Sequence, residues 1–154
     1  MSIAGLITGV AATNAPAPTI LTAGFAGTVA GAVSMAAGEY VSVAAQRDSE
    51  HRLVAQGGMW ADEMARPWQA AATSCVAFLA GAVLPLLAVL ASTASWRVPV
   101  IAAAVVLALT GTGITSARLA DTAAARPTVR TVAGGVLALA VTYLLGRLTG
   151  ATGL

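Results

Sequence analysis

Charged residues are scarce in this chain. Only 9% of its 154 residues are Asp, Glu, Lys or Arg, whereas ordinary soluble domains contain about 25%. The mean hydropathy is +0.84. This composition does not provide enough polar surface to cover a soluble globule, so a soluble enzyme and a nucleic-acid-binding protein are both excluded.

Cysteine and histidine are almost absent as well. Cys75 is the only cysteine and His51 the only histidine, so we expect no intramolecular disulfide and no cysteine-based metal site. The sequence also lacks a G-x-S-x-G motif, a Walker loop and a dinucleotide-binding fingerprint. We therefore expect neither an enzyme nor a tightly bound cofactor.

The chain contains long uncharged runs instead, over residues 1–38, 67–96, 98–117 and 131–146. A bilayer core of about 30 Å requires about 20 apolar residues per helix, so these runs predict membrane-spanning helices. The first run is broken by Asn14, Pro16 and Pro18, which favour a turn. The residues before this turn span roughly half a bilayer at about 1.5 Å per residue.

The predicted fold is therefore an all-α polytopic membrane helix bundle. It has a half-length first helix and four full transmembrane helices within a single transmembrane domain, residues 1–154. The helices are predicted at about 2–12, 19–52, 67–90, 98–119 and 128–148.

Arginine placement predicts the orientation in the membrane. Six of the eight arginines fall on one side of the predicted spans and two on the other, Arg97 and Arg147. Because basic residues concentrate in cytoplasmic loops, we expect the 46–66 and 118–130 loops in the cytoplasm and the C-terminus outside.

The second predicted helix carries small residues at three- and four-residue steps: Gly24, Gly27, Gly31, Ser34 and Gly38. Small residues in this register let helices approach closely in lipid. One interpretation is close packing within a single protomer. The other is a homodimer seam built from two copies of this helix.

Met35 and Glu39 lie four residues apart on one face of the same helix. An ionisable group at membrane depth is costly and suggests an ion or proton path. A thioether together with a carboxylate is compatible with divalent first-row metals. The alternative is that Glu39 pairs with an arginine such as Arg47 at the headgroup level, and that Met35 fills a packing gap.

Farther along this helix, Asp48, Glu50 and His51 lie beyond the lipid. They are either solvated surface residues or a cytosolic access point whose field attracts cations.

The run from Ala30 to Val43, AGAVSMAAGEYVSV, followed by Gln46-Arg47-Asp48, resembles the vacuolar iron transporter family, including its nodulin-21-like members. Further similarity follows at 77–87 and 134–148. The resemblance implies a five-helix dimeric antiporter that moves Fe²⁺ or Mn²⁺ out of the cytosol against protons, along a path at the dimer interface between helices 1 and 2. By position, Met35 and Glu39 match the family's pore-lining Met and Glu.

Two departures from the family pattern shape this expectation. The acidic Asp-Gly motif that begins the family's first helix is missing, as is the glutamate-rich cytosolic domain between helices 2 and 3, so the sequence resembles a shortened member. The expected partners are the lipid bilayer, a divalent metal ion and a second copy of the chain. We expect a bacterial-type cell membrane rather than a vacuole, and the alternative function is a non-transporting, dimerising membrane protein.

Overall fold

The computed structural model describes residues 1–58, 60–121 and 123–152, the side chain of Ala61 excepted. Its helices are α1 (Ser2–Ala12), α2 (Ala17–Ala55), α3 (Pro67–Leu90), α4 (Arg97–Leu119) and α5 (Ala125–Thr152), with short 3₁₀ turns at Ala61–Glu63 and Ala94–Trp96. Within these residues there is no strand. Four helices are long and apolar enough to span a membrane, which confirms the all-α membrane bundle with a half-length first helix.

Prolines lie at several helix boundaries, but α2 and α5 are longer than predicted. Asn14 adopts a positive φ of 63° in the turn between α1 and α2, and α3 starts at Pro67. By contrast, α5 starts at Ala125 rather than at 128. Pro127 lies in the first turn of α5, where its missing N–H would have no helical partner, so it does not end the helix.

The length of α2 determines which of its residues can lie in lipid. Its 39 residues extend roughly 58 Å at about 1.5 Å per residue, nearly twice the hydrocarbon thickness of about 30 Å. The helix therefore projects well beyond the hydrocarbon at one end, and the charged sequence from Arg47 to Arg52 occupies that extension.

The chain divides into two compact units. The first comprises Met1–Gly27 and Gly81–Leu154, and the second comprises Thr28–Ala80. The largest fully buried side chains, Ile7, Ile20, Val89 and Ile101, all belong to the first unit. The predicted position of the C-terminus concerns residue 154, which lies outside the described residues.

Glycines allow α1 and α5 to approach closely in the first unit. A Cβ at Gly146 would collide with the backbone oxygen of Gly9 and would lie 3.0 Å from the Ala12 Cβ. A Cβ at Gly9 would lie 3.2 Å from the backbone oxygen of Thr142. Close approach of this kind substitutes for apolar burial as the basis of helix association in lipid.

Arg97 connects two parts of the first unit. It begins α4 and is only 9% exposed. Its Nη1 donates a hydrogen bond to the backbone oxygen of Ala15 at 3.3 Å. This bond joins α4 to the turn that follows α1 and partly satisfies a carbonyl that no helix uses.

The second unit is held by contacts between α2 and α3. Phe78 packs directly on Gly31, where a Cβ would collide with its ring. The rings of Tyr40 and Trp68 lie 5.5 Å apart between centroids, at an angle of 60°. This tilted arrangement is one that aromatic pairs favour.

Gly146→Ala should destabilise the protein, because the new methyl group forces α1 and α5 apart. Overpacking of this kind costs about 1–3 kcal/mol. The matched control is Gly134→Ala on the same helix, where nothing lies within 4 Å of the added Cβ. It should be neutral or stabilising by up to about 1 kcal/mol. Thermal unfolding of the detergent-solubilised variants measures both, and equal losses at the two positions would contradict the close α1–α5 contact.

Candidate functional site

Met35 and Glu39 lie on one exposed side of α2 in the second unit. Met35 is 48% exposed, and Glu39 is exposed as well. Among the described residues, Glu39 makes no hydrogen bond and no ion pair, so the alternative pairing with Arg47 is not formed. The carboxylate is therefore available to an external ligand.

The depth of this pair in a bilayer follows from the length of α2 and from the point at which the helix enters the hydrocarbon. If α2 enters the core close to Thr19, Glu39 lies roughly 30 Å along the helix axis, at about 1.5 Å per residue. That distance equals the core thickness of about 30 Å. Met35 lies one turn deeper. Placing a carboxylate at the edge of the hydrocarbon costs less free energy than placing one at the bilayer centre. Glu39 nevertheless adjoins the Met35 thioether, which lies on its lipid side.

The stripe of small residues on α2 divides into a packed part and an open part. A Cβ at Gly24 would lie 2.6 Å from Leu86 Cδ2, and one at Gly27 would lie 2.6 Å from Leu6 Cδ2. Phe78 covers Gly31 in the same manner. These three glycines therefore pack against side chains of their own chain.

The open part is Ser34 and Gly38. Both are exposed, and nothing lies within 4 Å of a Cβ at Gly38. This open surface adjoins Met35 and Glu39 on the helix.

The three predicted access residues have different surroundings. Glu50 is engaged within its own chain: its Oε1 accepts a hydrogen bond from Gln46 Nε2 at 2.7 Å, and its Oε2 accepts one from the backbone N–H of Ala65 at 2.6 Å. Asp48 and His51 are exposed. Glu50 thus anchors the segment that follows α2.

A single protomer supplies few metal ligands. Among residues 1–58, 60–121 and 123–152, no group of three or more His, Cys, Asp and Glu side chains could hold a metal ion. Met35 and Glu39 together offer one soft and one hard donor. Two donors suit transient contact with a first-row divalent ion better than tight retention.

Two tertiary contacts escaped sequence reasoning. The Glu50–Ala65 bond joins residues 15 positions apart, and the Arg97–Ala15 bond joins residues 82 positions apart. Arg97 did carry one signal, because it stands alone between two uncharged runs. No sequence pattern indicates that the Ala15 carbonyl is its partner.

Comparison with known proteins identifies the family. The model of the VIT family matches residues 1–58 and 55–147. This chain belongs to the VIT family. Members of that family are transporters rather than enzymes, in agreement with the expectation that the chain is not an enzyme.

Three curated relatives of this VIT family member come from plants. Vacuolar iron transporter homolog 1 of Oryza sativa subsp. japonica is 43% identical over 163 residues, which cover 99% of this chain and 70% of the relative. Homolog 5 of the same species is 42% identical, covering 100% and 76%. Homolog 2 of Arabidopsis thaliana is 40% identical, covering 100% and 80%. No solved structure matches the chain significantly.

Glu50→Ala should release the segment around Ala65, because the amide of Ala65 loses its acceptor. A hydrogen bond to a charged group contributes about 1.5 kcal/mol at the lower end of its range, so amide exchange there should accelerate roughly tenfold. Hydrogen–deuterium exchange of the peptide covering 60–66 measures this effect. Asp48→Ala removes the same charge from an exposed position and should leave the exchange unchanged; acceleration in both variants would contradict the anchoring role.

Proposed function

We propose that this protein transports divalent metal ions across its membrane. Metal transport follows from membership of the VIT family together with relatives named as vacuolar iron transporter homologs. Fe²⁺ and Mn²⁺ are the proposed substrates, because a thioether beside a carboxylate suits first-row divalent ions of intermediate softness.

The observation that carries this proposal is the free Glu39 carboxylate beside the exposed Met35. An acid at the edge of the hydrocarbon, with no ion pair among the described residues, is costly to keep unless it serves an ion or a proton. In the proposed cycle, Glu39 releases a proton when it binds the metal and is reprotonated when the metal leaves. One carboxyl group thereby couples the two opposing fluxes.

The proposed transporting unit is a homodimer formed through the first two helices. Among the described residues of one protomer, no group of three or more His, Cys, Asp and Glu side chains could hold a metal ion, and the open part of the α2 stripe, Ser34 and Gly38, adjoins Met35 and Glu39. A second copy meeting this surface would bring another Met35 and Glu39 into the path and would shield both carboxylates from lipid.

The proposed orientation places the 46–66 loop in the cytoplasm and the C-terminus outside, with export of metal from the cytosol. The proposed site is a bacterial-type cell membrane. Asp48 and His51, which lie exposed beyond the lipid-spanning part of α2, provide the cytosolic access point, while Glu50 contributes charge from its anchored position.

A second candidate function is that of a dimerising membrane protein without transport. The observation that favours it is α1, whose 11 residues contain no carboxylate to complete a path. Purified protein that remains dimeric but moves no metal into proteoliposomes would support this alternative.

Glu39→Gln should abolish proton-coupled transport while preserving side-chain volume. Uptake of Mn²⁺ or Fe²⁺ into proteoliposomes should fall by more than about tenfold, the effect of losing about 1.4 kcal/mol of stabilisation, and it should no longer respond to a pH gradient. Asp121→Asn is the control, since Asp121 is exposed in another loop, and it should transport normally. Undiminished coupling in Glu39→Gln would refute the proposed role.

Met35→Leu should separate metal selectivity from proton coupling. The substitution keeps the apolar volume but removes the sulfur donor, so the preference for softer over harder divalent ions should decrease. The dependence on the pH gradient should persist, because Glu39 is intact. Competition of Mg²⁺ against Fe²⁺ uptake measures the preference, and an unchanged ratio would show that Met35 is not a ligand.

A further inference from the structure

An open apolar groove runs along α5 in the first unit. It has a volume of about 690 Å³ and is lined by seven residues of α5 from Thr128 to Ala140, together with Thr110 on α4. The Thr110 hydroxyl donates to the backbone oxygen of Val106 at 2.8 Å. The buried Thr128 hydroxyl has no hydrogen-bond partner among the described residues, but the other six α5 residues that line the groove are apolar, so the groove suits a hydrocarbon chain.

The groove has the length of a lipid tail. From Val129 to Ala140 the helix advances roughly 16 Å at about 1.5 Å per residue. One leaflet of a hydrocarbon core is about 15 Å thick, half of about 30 Å. Near Thr128, α4 and α5 come into close contact, since a Cβ at Gly113 would lie 2.7 Å from the Thr128 Cα. This contact closes the floor of the groove at that end.

Two arginines lie at this end of the groove, Arg126 just before Thr128 and Arg130 just after it. Arg126 and Arg130 precede Ala133, Leu137 and Ala140 at steps of four, three, four and three residues, which is the spacing of one helix face. Both arginines are exposed, and neither makes an ion pair among the described residues. Their guanidinium groups are available to an anion at this end of the groove.

The local charge is positive. The segment 118–130 contains three arginines, Arg118, Arg126 and Arg130, and one acid, Asp121. An anionic headgroup is therefore attracted to this end, while a zwitterionic headgroup gains much less. Guanidinium groups also bind phosphate oxygens with defined geometry.

We propose that this groove is a binding site for an anionic phospholipid, with one acyl chain along Val129–Ala140 and the headgroup phosphate on Arg126 and Arg130. The site is distinct from the proposed metal path and does not depend on it. It assigns a role to the excess of arginine at the start of α5 beyond orientation in the membrane.

The first experiment compares how lipids with different headgroups affect the purified full chain in detergent. Phosphatidylglycerol should raise the melting temperature more than phosphatidylcholine with the same acyl chains, and native mass spectrometry should show it retained preferentially. Arg126→Gln with Arg130→Gln should weaken phosphatidylglycerol binding by about fivefold per arginine. Arg47→Gln with Arg52→Gln, two exposed arginines on the extension of α2, removes equal charge and should have no effect.

The groove arm tests the acyl-chain contact. Ala133→Leu fills the groove and should reduce retention of phosphatidylglycerol, whereas Ala138→Leu, an exposed position outside the groove, should not.

Equal stabilisation by both lipids, or an equal loss in the Arg47 and Arg52 control, would overturn the proposal. Full stabilisation by inorganic phosphate alone would identify a free anion instead of a lipid. Dissociation of a dimer by Ala133→Leu without loss of lipid selectivity would identify a second copy as the occupant.

Discussion

The cost of an unpaired charge in hydrocarbon is the constraint on which this structure depends. Only 9% of the residues are charged, and all of them lie outside the long uncharged runs. Glu39 matters most among them, because it directly follows the uncharged part of α2 and has no ion pair among the described residues. A carboxylate in that position is retained at a cost in stability, and we propose that a transported cation with its exchanging proton compensates for this cost.

Close helix contact supports this arrangement. Gly9 and Gly146 bring α1 against α5, and Arg97 secures the turn after α1 through the Ala15 carbonyl. These contacts hold the 11-residue helix α1 although it is too short to span a bilayer by itself. In the second unit Phe78 packs on Gly31, so the packed part of the α2 stripe is filled from within the chain and the open part remains beside Met35 and Glu39.

The sequence alone was sufficient for the fold and for the position of the candidate residues along α2. Uncharged runs of about 20 residues are stable in a bilayer as membrane-spanning helices. The structure also has helix boundaries where the sequence predicted them, at Asn14, Pro16 and Pro67. Helix ends were less predictable, since Pro127 is compatible with a first turn as well as with a loop. Glu50 illustrates the remaining difficulty: its charge suggested cation attraction, but its engagement by the Ala65 amide depends on a tertiary contact that no local pattern encodes.

Direct binding of Mn²⁺ to the protein in lipid nanodiscs, followed by electron paramagnetic resonance, tests the central claim most closely. The account predicts saturable binding that weakens as the pH is lowered and that disappears in Glu39→Gln, while Glu50→Gln retains it because Glu50 is anchored to Ala65. Saturable binding that survives in Glu39→Gln but is lost in Glu50→Gln would contradict the account and would place the ion outside the membrane.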